Sequence, residues 1–145
     1  MPVVLLVDDN AINLQMLHQT LEGQGYRLLS ATSGEGALRI AQKAKPDLIL
    51  LDIMMPGIDG YETCRRLKAD ESTQNIGIIF LTALQATEDK VHGLSLGAVD
   101  FITKPFQVEE VLARVKTHLA LKKANTTLQE LNEELEERVQ ERTKE

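Results

Sequence analysis

Asp47-Leu48-Ile49-Leu50-Leu51-Asp52 is an apolar run of strand length closed by a carboxylate, and Met55-Pro56-Gly57 follows it with a turn. An apolar run without alternation reads as a strand covered on both faces, the habit of a parallel sheet. An acid at its end, just before a turn, is presented at the sheet edge rather than hidden. Asp52 is therefore the position from which the rest of the chain is read.

The flanking segments repeat the pattern. Val3 to Val7 is a second two-sided apolar strand, closed by the cap-type residues Asp8-Asp9-Asn10. From Ala11 to Gln24 the positions Ile12, Leu14, Leu17 and Leu21 fall close to one helical face, with Gly23 and Gly25 bracketing the stop. Arg27 to Ala31 is a short strand. Ser33 caps a helix running to about Lys45, with Ala37, Leu38 and Ala41 as its buried stripe and Pro46 preventing continuation. After Asp52, Tyr61 to Lys68 reads as a short helix that turns Cys64 and Leu67 inward and Arg65, Arg66 and Lys68 outward. Ile76 to Leu81 is another buried strand, stopped at Thr82-Ala83. Thr87 to Leu96 is a helix with Gly97 at its cap position, and Val99 to Thr103 is a last strand ended by Lys104-Pro105.

Five strands alternating with helices make an α/β domain, because parallel neighbours need crossover connections of this length. Right-handed crossovers put helices on both faces. Ligands of such sheets bind outside the carboxyl ends of the strands, near the point where strand order reverses. Asp8, Asp9, Asp52, Thr82 and Lys104 all fall at that edge.

The bulk numbers narrow the class. A chain of 145 residues, 43% hydrophobic, is one domain plus an extension. With a formal charge of -6 and no dense Lys/Arg window, direct nucleic-acid binding is not expected. A single cysteine, Cys64, suits a reducing compartment, so the expected location is the cytoplasm. No apolar run approaches the roughly 20 residues of a membrane helix, and no signal peptide precedes the first strand.

From Val108 the pattern is helical to the end, about forty residues and roughly 55 Å at the α-helical rise. Val108, Val111, Leu112, Val115 and Leu119 form a stripe suited to the sheet. Beyond it Leu121, Ala124, Leu128, Leu131 and Leu135 are spaced three and four apart, a coiled-coil seam that shifts by one residue at Val139. The expected division is therefore a domain at 1–120 and a coiled-coil linker helix at 121–145. That helix would form a parallel homodimer through residues 121–139 and lead to an output domain beyond Glu145.

Carboxylates converging at strand ends repel one another unless a cation joins them. Oxygen-only ligands with room for water and phosphate suit Mg²⁺, or Mn²⁺, better than zinc. Such an ion neutralises the acids and binds the oxygens of an incoming phosphoryl group, easing attack by a carboxylate. Lys104 supplies a fixed positive charge for those oxygens, and Thr82 a hydroxyl donor.

Four motifs carry a specific resemblance: Val-Asp-Asp-Asn at 7–10, Leu-Leu-Asp-Ile-Met-Met-Pro-Gly-Ile-Asp-Gly at 50–60, Leu-Thr-Ala at 81–83 and Phe-Ile-Thr-Lys-Pro-Phe at 101–106. Residues 3 to about 120 resemble the receiver domain of two-component response regulators. The resemblance implies a flavodoxin-like sheet of order 2-1-3-4-5 and Asp52 as acceptor of a phosphoryl group from a sensor histidine kinase or phosphotransfer protein. It also implies metal binding by Asp8, Asp9, Asp52 and the backbone carbonyl of Met54. Thr82 and Phe101 would be a switch pair, and Lys104-Pro105 a cis peptide. Met54 and Leu84 are apolar where a carboxylate or amide could hold a hydrolytic water, so loss of phosphate should be slow.

Two other functions compete. A phosphohydrolase working through an aspartyl-phosphate commonly has an acid two residues after the nucleophile, where this chain has Met54. A receiver-like scaffold without phosphorylation would have no use for the full acid, hydroxyl and lysine set. His18, His92 and His118 lie on separate predicted helices without ligand spacing or an acid partner and read as surface or boundary residues. Cys64 reads as a small core residue. The terminal helix resembles linkers into histidine kinase or nucleotide cyclase domains and does not choose between them.

Overall fold

The computed structural model describes residues 1–83 and 87–144, without the side chains of 87–90, 126, 129 and 136–144. Five strands, β1 (Val3–Val7), β2 (Arg27–Ala31), β3 (Leu48–Asp52), β4 (Gly77–Ala83) and β5 (Asp100–Lys104), alternate with five helices. The helices are α1 (Ala11–Leu21), α2 (Gly34–Ala44), α3 (Gly60–Ala69), α4 (Thr87–Ser95) and α5 (Val108–Lys144). All strand pairs are parallel, in the order β2-β1-β3-β4-β5, the flavodoxin-like sheet expected from the sequence.

Every residue of β3 is buried, as a central strand with helices on both faces requires. Strand alternation divides the core in two. Leu5, Val7, Ile49, Leu51, Ile78 and Phe80 face α2 and α3, where Ala37, Ala41, Cys64 and Leu67 cover them. Val4, Leu6, Leu48, Leu50, Ile79, Leu81 and Ile102 face α1 and α5, against Leu17, Leu21, Val111 and Val115. Complete burial of a valine or leucine contributes about 2 kcal/mol, so these helices are held mainly by their apolar stripes. Among the described residues, no helix is long and apolar enough to cross a membrane.

Several sequence expectations need correction. Ile12 is exposed rather than inward, since it lies about half a turn from Leu14 and Leu21 on the helical wheel. Val108 opens α5 with its side chain exposed, and Phe106 takes the place against the core instead. Lys68 bends back rather than outward, donating to the carbonyls of Gln74 (3.0 Å) and Ile76 (2.9 Å). Helix α1 ends at Leu21, three residues early, and Gly23 and Gly25 both adopt positive φ in the turn beyond it. Strand β4 continues through Thr82 to Ala83. Leu84 lies outside the described residues, as does the side chain of Val139.

The basic face of α5 was not anticipated. Arg114, His118 and Lys122 follow one another at intervals of four and meet acids at the amino-terminal edge of the sheet. Arg114 Nη1 and His118 Nε2 reach Asp100 Oδ2 at 2.7 and 2.9 Å, and Lys122 Nζ lies 3.6 Å from Asp47 Oδ1. His118 thus has the acid partner that its sequence context did not reveal. His92 lies edge-on to Tyr61, with ring centroids 4.5 Å apart.

Gly60 fixes the return from β3. Asp59 caps α3 by accepting from Glu62 N at 2.8 Å, and Gly60 N donates to Ile53 O at 2.8 Å. A Cβ at Gly60 would collide with Asp52 O and stand 2.7 Å from Ile53 Cα, both backbone atoms with little room to give. Gly60→Ala is expected to cost about 2 kcal/mol or more, read as a lower urea midpoint. A loss under about 0.5 kcal/mol would show that the loop relaxes freely.

Candidate functional site

The strand order reverses between β1 and β3, and the acids flank that point. Asp8 and Asp9 follow β1, and Asp52 ends β3. Their carboxylate oxygens can all lie within 4.8 Å of one another. Asp8 and Asp52 are buried, while Asp9 is exposed at the rim. Register carries the other groups to the same edge: Asp52 pairs with Leu81, Thr82 with Thr103, and Ala83 with Lys104.

Local structure explains each placement. Asp8 Oδ1 accepts from Asn10 N at 2.9 Å, while Asn10 caps α1 through Ile12 N and Asn13 N. The turn therefore fixes the buried acid before the helix begins. Lys104 ends β5, and the Lys104-Pro105 bond is cis. Lys104 Nζ reaches Asp52 Oδ1 at 2.9 Å and Asp8 Oδ2 at 3.4 Å.

One ammonium group is thus shared between two buried carboxylates, and the charge does not balance. Burial pushes the Asp52 carboxyl up to about 6; the bond to Lys104 opposes this, and the charge of Asp8 adds to it. Burial alone would lower Lys104, but its bond to Asp52 and the charges of both acids hold it above its ordinary value. The two shifts look contradictory for an ion pair and agree once Asp8 is counted, because Lys104 gains two acids while Asp52 gains half a lysine.

Two buried oxygens have no hydrogen-bond partner among the described residues, Asp8 Oδ2 and Thr82 Oγ1. A buried acid oxygen with only a shared ammonium at 3.4 Å, beside a carboxyl that resists ionisation, fits a missing positive charge. The donors are oxygens only, so a hard divalent ion matches them better than a soft one. Thr82 Oγ1 stands at the same edge with its hydrogen-bonding capacity unused among the described residues.

The other singled-out residues are more scattered. Met54 lies two residues past Asp52, with a side chain 78% exposed. Phe101 is half-buried on the edge strand, with Arg114 Cζ 5.8 Å from its ring centroid. Cys64 is fully buried in the core. Asp100 was missed: its carboxylate binds Arg114, His118 and its neighbour Phe101 N, and these bonds hold it below the usual range although burial opposes them. A basic pair four apart on α5 was the available signal, but the sequence could not say which acid it faced. A cavity of about 570 Å³ lies at the opposite edge of the sheet, lined by Asp47, Val99, His118, Leu121 and Lys122 among others, and shares no residue with the acid cluster.

The sequence profile of the response regulator receiver domain matches residues 4–116. The chain is 47% identical over 116 residues to the phosphate regulon transcriptional regulatory protein PhoB of Pseudomonas aeruginosa, covering 80% of this chain and 51% of that protein. It is 43% identical over 119 residues to the DNA-binding dual master transcriptional regulator RpaA of Synechocystis, covering 82% and 49%. The chain thus spans about half the length of each. The solved structure of the chemotaxis response regulator CheY4 of Vibrio cholerae is similar at a TM-score of 0.76 and 34% identity, over 81% of this chain and 98% of that one.

The raised Asp52 value has a measurable consequence. Between pH 3.8 and about 6 the folded chain holds a proton that the unfolded chain releases, so this group's contribution to stability falls as pH rises through that window and is level above it. The full loss is about 3 kcal/mol at most. In EDTA, Asp52→Asn is expected to flatten the slope and to be more stable than wild type at pH 7 by about 1–3 kcal/mol. Identical urea midpoints from pH 4 to 8 would contradict it.

Proposed function

Because the chain belongs to the response regulator receiver family, it is a phosphoryl-accepting signalling module, and we propose that its acceptor is Asp52. The observation that carries this reading is the shared ammonium: Lys104 lies 2.9 Å from the Asp52 carboxylate in a cluster short of positive charge. A carboxylate oxygen of Asp52 forms the new P–O bond as the bond from phosphorus to the donor imidazole breaks. Lys104 is then free to follow the charge onto the phosphoryl oxygens, and the Thr82 hydroxyl donates to one of them. Asp8, Asp9, Asp52 and the Met54 carbonyl would hold Mg²⁺ or Mn²⁺, which supplies positive charge to the acids and the incoming oxygens.

Phosphorylation can drive a change of state only through an interaction present in one state and absent in the other. The new anion held by Thr82 and Lys104 is such an interaction, and Thr82 with Phe101 forms the responding pair. The phosphodonor is a sensor histidine kinase or phosphotransfer protein. The receiver unit is residues 1–120, and residues 121–145 form a linker to an output domain. Half-exposed Leu121, Leu128, Leu131 and Leu135 on α5 support pairing of two chains along that helix, since such a seam is unfavourable in water unless covered.

Incubation with Mg²⁺ and acetyl phosphate is expected to add one phosphoryl group to wild type by intact mass and none to Asp52→Asn. The adduct is expected to outlast minutes in Mg²⁺, since Met54 presents no group to hold a hydrolytic water; decay within seconds would refute that point. An unmodified wild type that also ignores beryllofluoride would leave the receiver-like scaffold as the better reading.

The linker makes a separate prediction. Leu128→Gln combined with Leu135→Gln is expected to weaken self-association by about 2 kcal/mol or more for each buried leucine removed, read by sedimentation over a range of concentrations. A wild type that stays monomeric at high concentration would dismiss the coil.

A further inference from the structure

β5 is one of the two edge strands of the sheet, paired with β4. Its successive side chains point to opposite faces. Ile102 lies in the core beneath α1 and α5, which puts Asp100 on that side, and Phe101 packs with the other core, on the side of Phe80. One group reaches both sides. The Arg114 guanidinium donates to Asp100 Oδ2 at 2.7 Å and to Glu110 Oε1 at 3.3 Å, and its Cζ stands 5.8 Å from the Phe101 ring centroid.

We propose that Arg114 is a positioning residue that holds the Phe101 ring at the sheet edge and thereby sets how readily the phosphoryl site fills. The inference rests on the reading of Asp52 as acceptor and of Thr82 and Phe101 as its responding pair. Arg114 is well placed for the task because its own position is fixed. Asp100 Oδ1 accepts from Phe101 N at 2.8 Å, and its Oδ2 accepts from Arg114 and lies 2.9 Å from His118 Nε2. The acid that anchors the guanidinium is thus locked to the same residue whose ring the guanidinium covers.

Phe101 pairs with Phe80 and Thr103 with Thr82, so the ring and the Thr82 hydroxyl share a face of the sheet. Among the described residues Thr82 Oγ1 is buried without a hydrogen-bond partner, and it gains one by moving toward a phosphoryl oxygen. That movement opens space on the shared face, the ring turns into it, and Arg114 loses its aromatic contact. The contact therefore exists in one state only, which is the condition for biasing the equilibrium. A cation–ring contact at a partly exposed site corresponds to roughly a two- to fivefold bias toward the unfilled state.

A plain strut between α5 and β5 would use the same bonds, and His118 supplies the control, because it ties α5 to the same Asp100 oxygen. The test is titration of the full chain with beryllofluoride in saturating Mg²⁺, with the phenylalanine ring signals followed by NMR; the sequence has only three phenylalanines. Arg114→Gln is expected to bind about two- to fivefold more tightly, Arg114→Lys to fall between, and His118→Ala to match wild type even if it melts earlier. In a Phe101→Ala background the gain from Arg114→Gln should vanish. Should that background not bind, the free Arg114→Gln ring spectrum decides, and it must lie closer to the bound position than wild type does.

An unchanged affinity in Arg114→Gln overturns the inference while leaving Asp52 as acceptor. So does an equal gain in His118→Ala, or a gain that persists without the Phe101 ring. Failure of wild type to take up beryllofluoride overturns the acceptor reading, and this inference with it.

Discussion

Three carboxylates share one corner of the molecule with one ammonium group, and the site depends on that imbalance. Burying charge is unfavourable unless it is paired, and a half-paired cluster is worse than none. Here the pairing is short: Lys104 is divided between Asp8 and Asp52, and among the described residues Asp8 keeps an oxygen without a hydrogen bond. The cluster is therefore receptive to positive charge. On the proposed reading a cation there would in turn favour an anion, with Lys104 and Thr82 at the same edge to meet its oxygens. The apolar sheet carries the cost, because a β3 buried along its whole length does not rearrange to relieve its last residue.

β5 connects this corner to the rest of the molecule. It ends in Lys104, which touches both buried acids, and begins with Asp100, which anchors two turns of α5. Phe101 lies between them. An edge strand has a neighbour on one side only, so a side chain of α5 can reach round β5 from one face to the other, as Arg114 does. β5 thus joins the acid cluster to α5 by a path that does not cross the core.

Much of this was legible in the sequence for physical reasons that apply locally. Strands buried on both faces read as uninterrupted apolar runs, which located β1, β3 and β4, and the polar residue closing such a run marks the functional edge; the edge strands β2 and β5 are only partly buried and were placed by their position between helices. Asp8, Asp52, Thr82 and Lys104 needed only strand ends and parallel order to be brought together. What failed was reach. Ile12 has the right chemistry for a core and sits on the wrong part of the helical wheel, which a loose stripe tolerates and packing does not; Val108 shares the face of Val111 and Val115 but opens the helix, where Phe106 takes the place against the core. Lys68 was assigned by charge to the solvent, although a long aliphatic stem lets an ammonium fold back onto carbonyls. Asp100 and His118 are eighteen positions apart, and only the docking angle of α5 makes them neighbours.

The same docking angle explains how one helix can pack one face on the sheet and turn another to solvent. Leu119 packs against its own sheet, while Leu121 stands half exposed two residues later. Two residues are about 200° of helical rotation, so the change of allegiance needs no bend. It does need the helix to be held against rotation at the changeover, since an apolar stripe alone permits rolling. Arg114 and His118 on Asp100, with Lys122 on Asp47, supply that hold over two further turns. Each surface pair contributes at most about 1 kcal/mol, too little to secure the fold. Their directionality is what counts: the bonds of Arg114 and His118 to the Asp100 carboxylate, with Lys122 donating to the Asp47 carbonyl at 3.3 Å, set the rotation of α5 and with it the direction in which Leu121 faces.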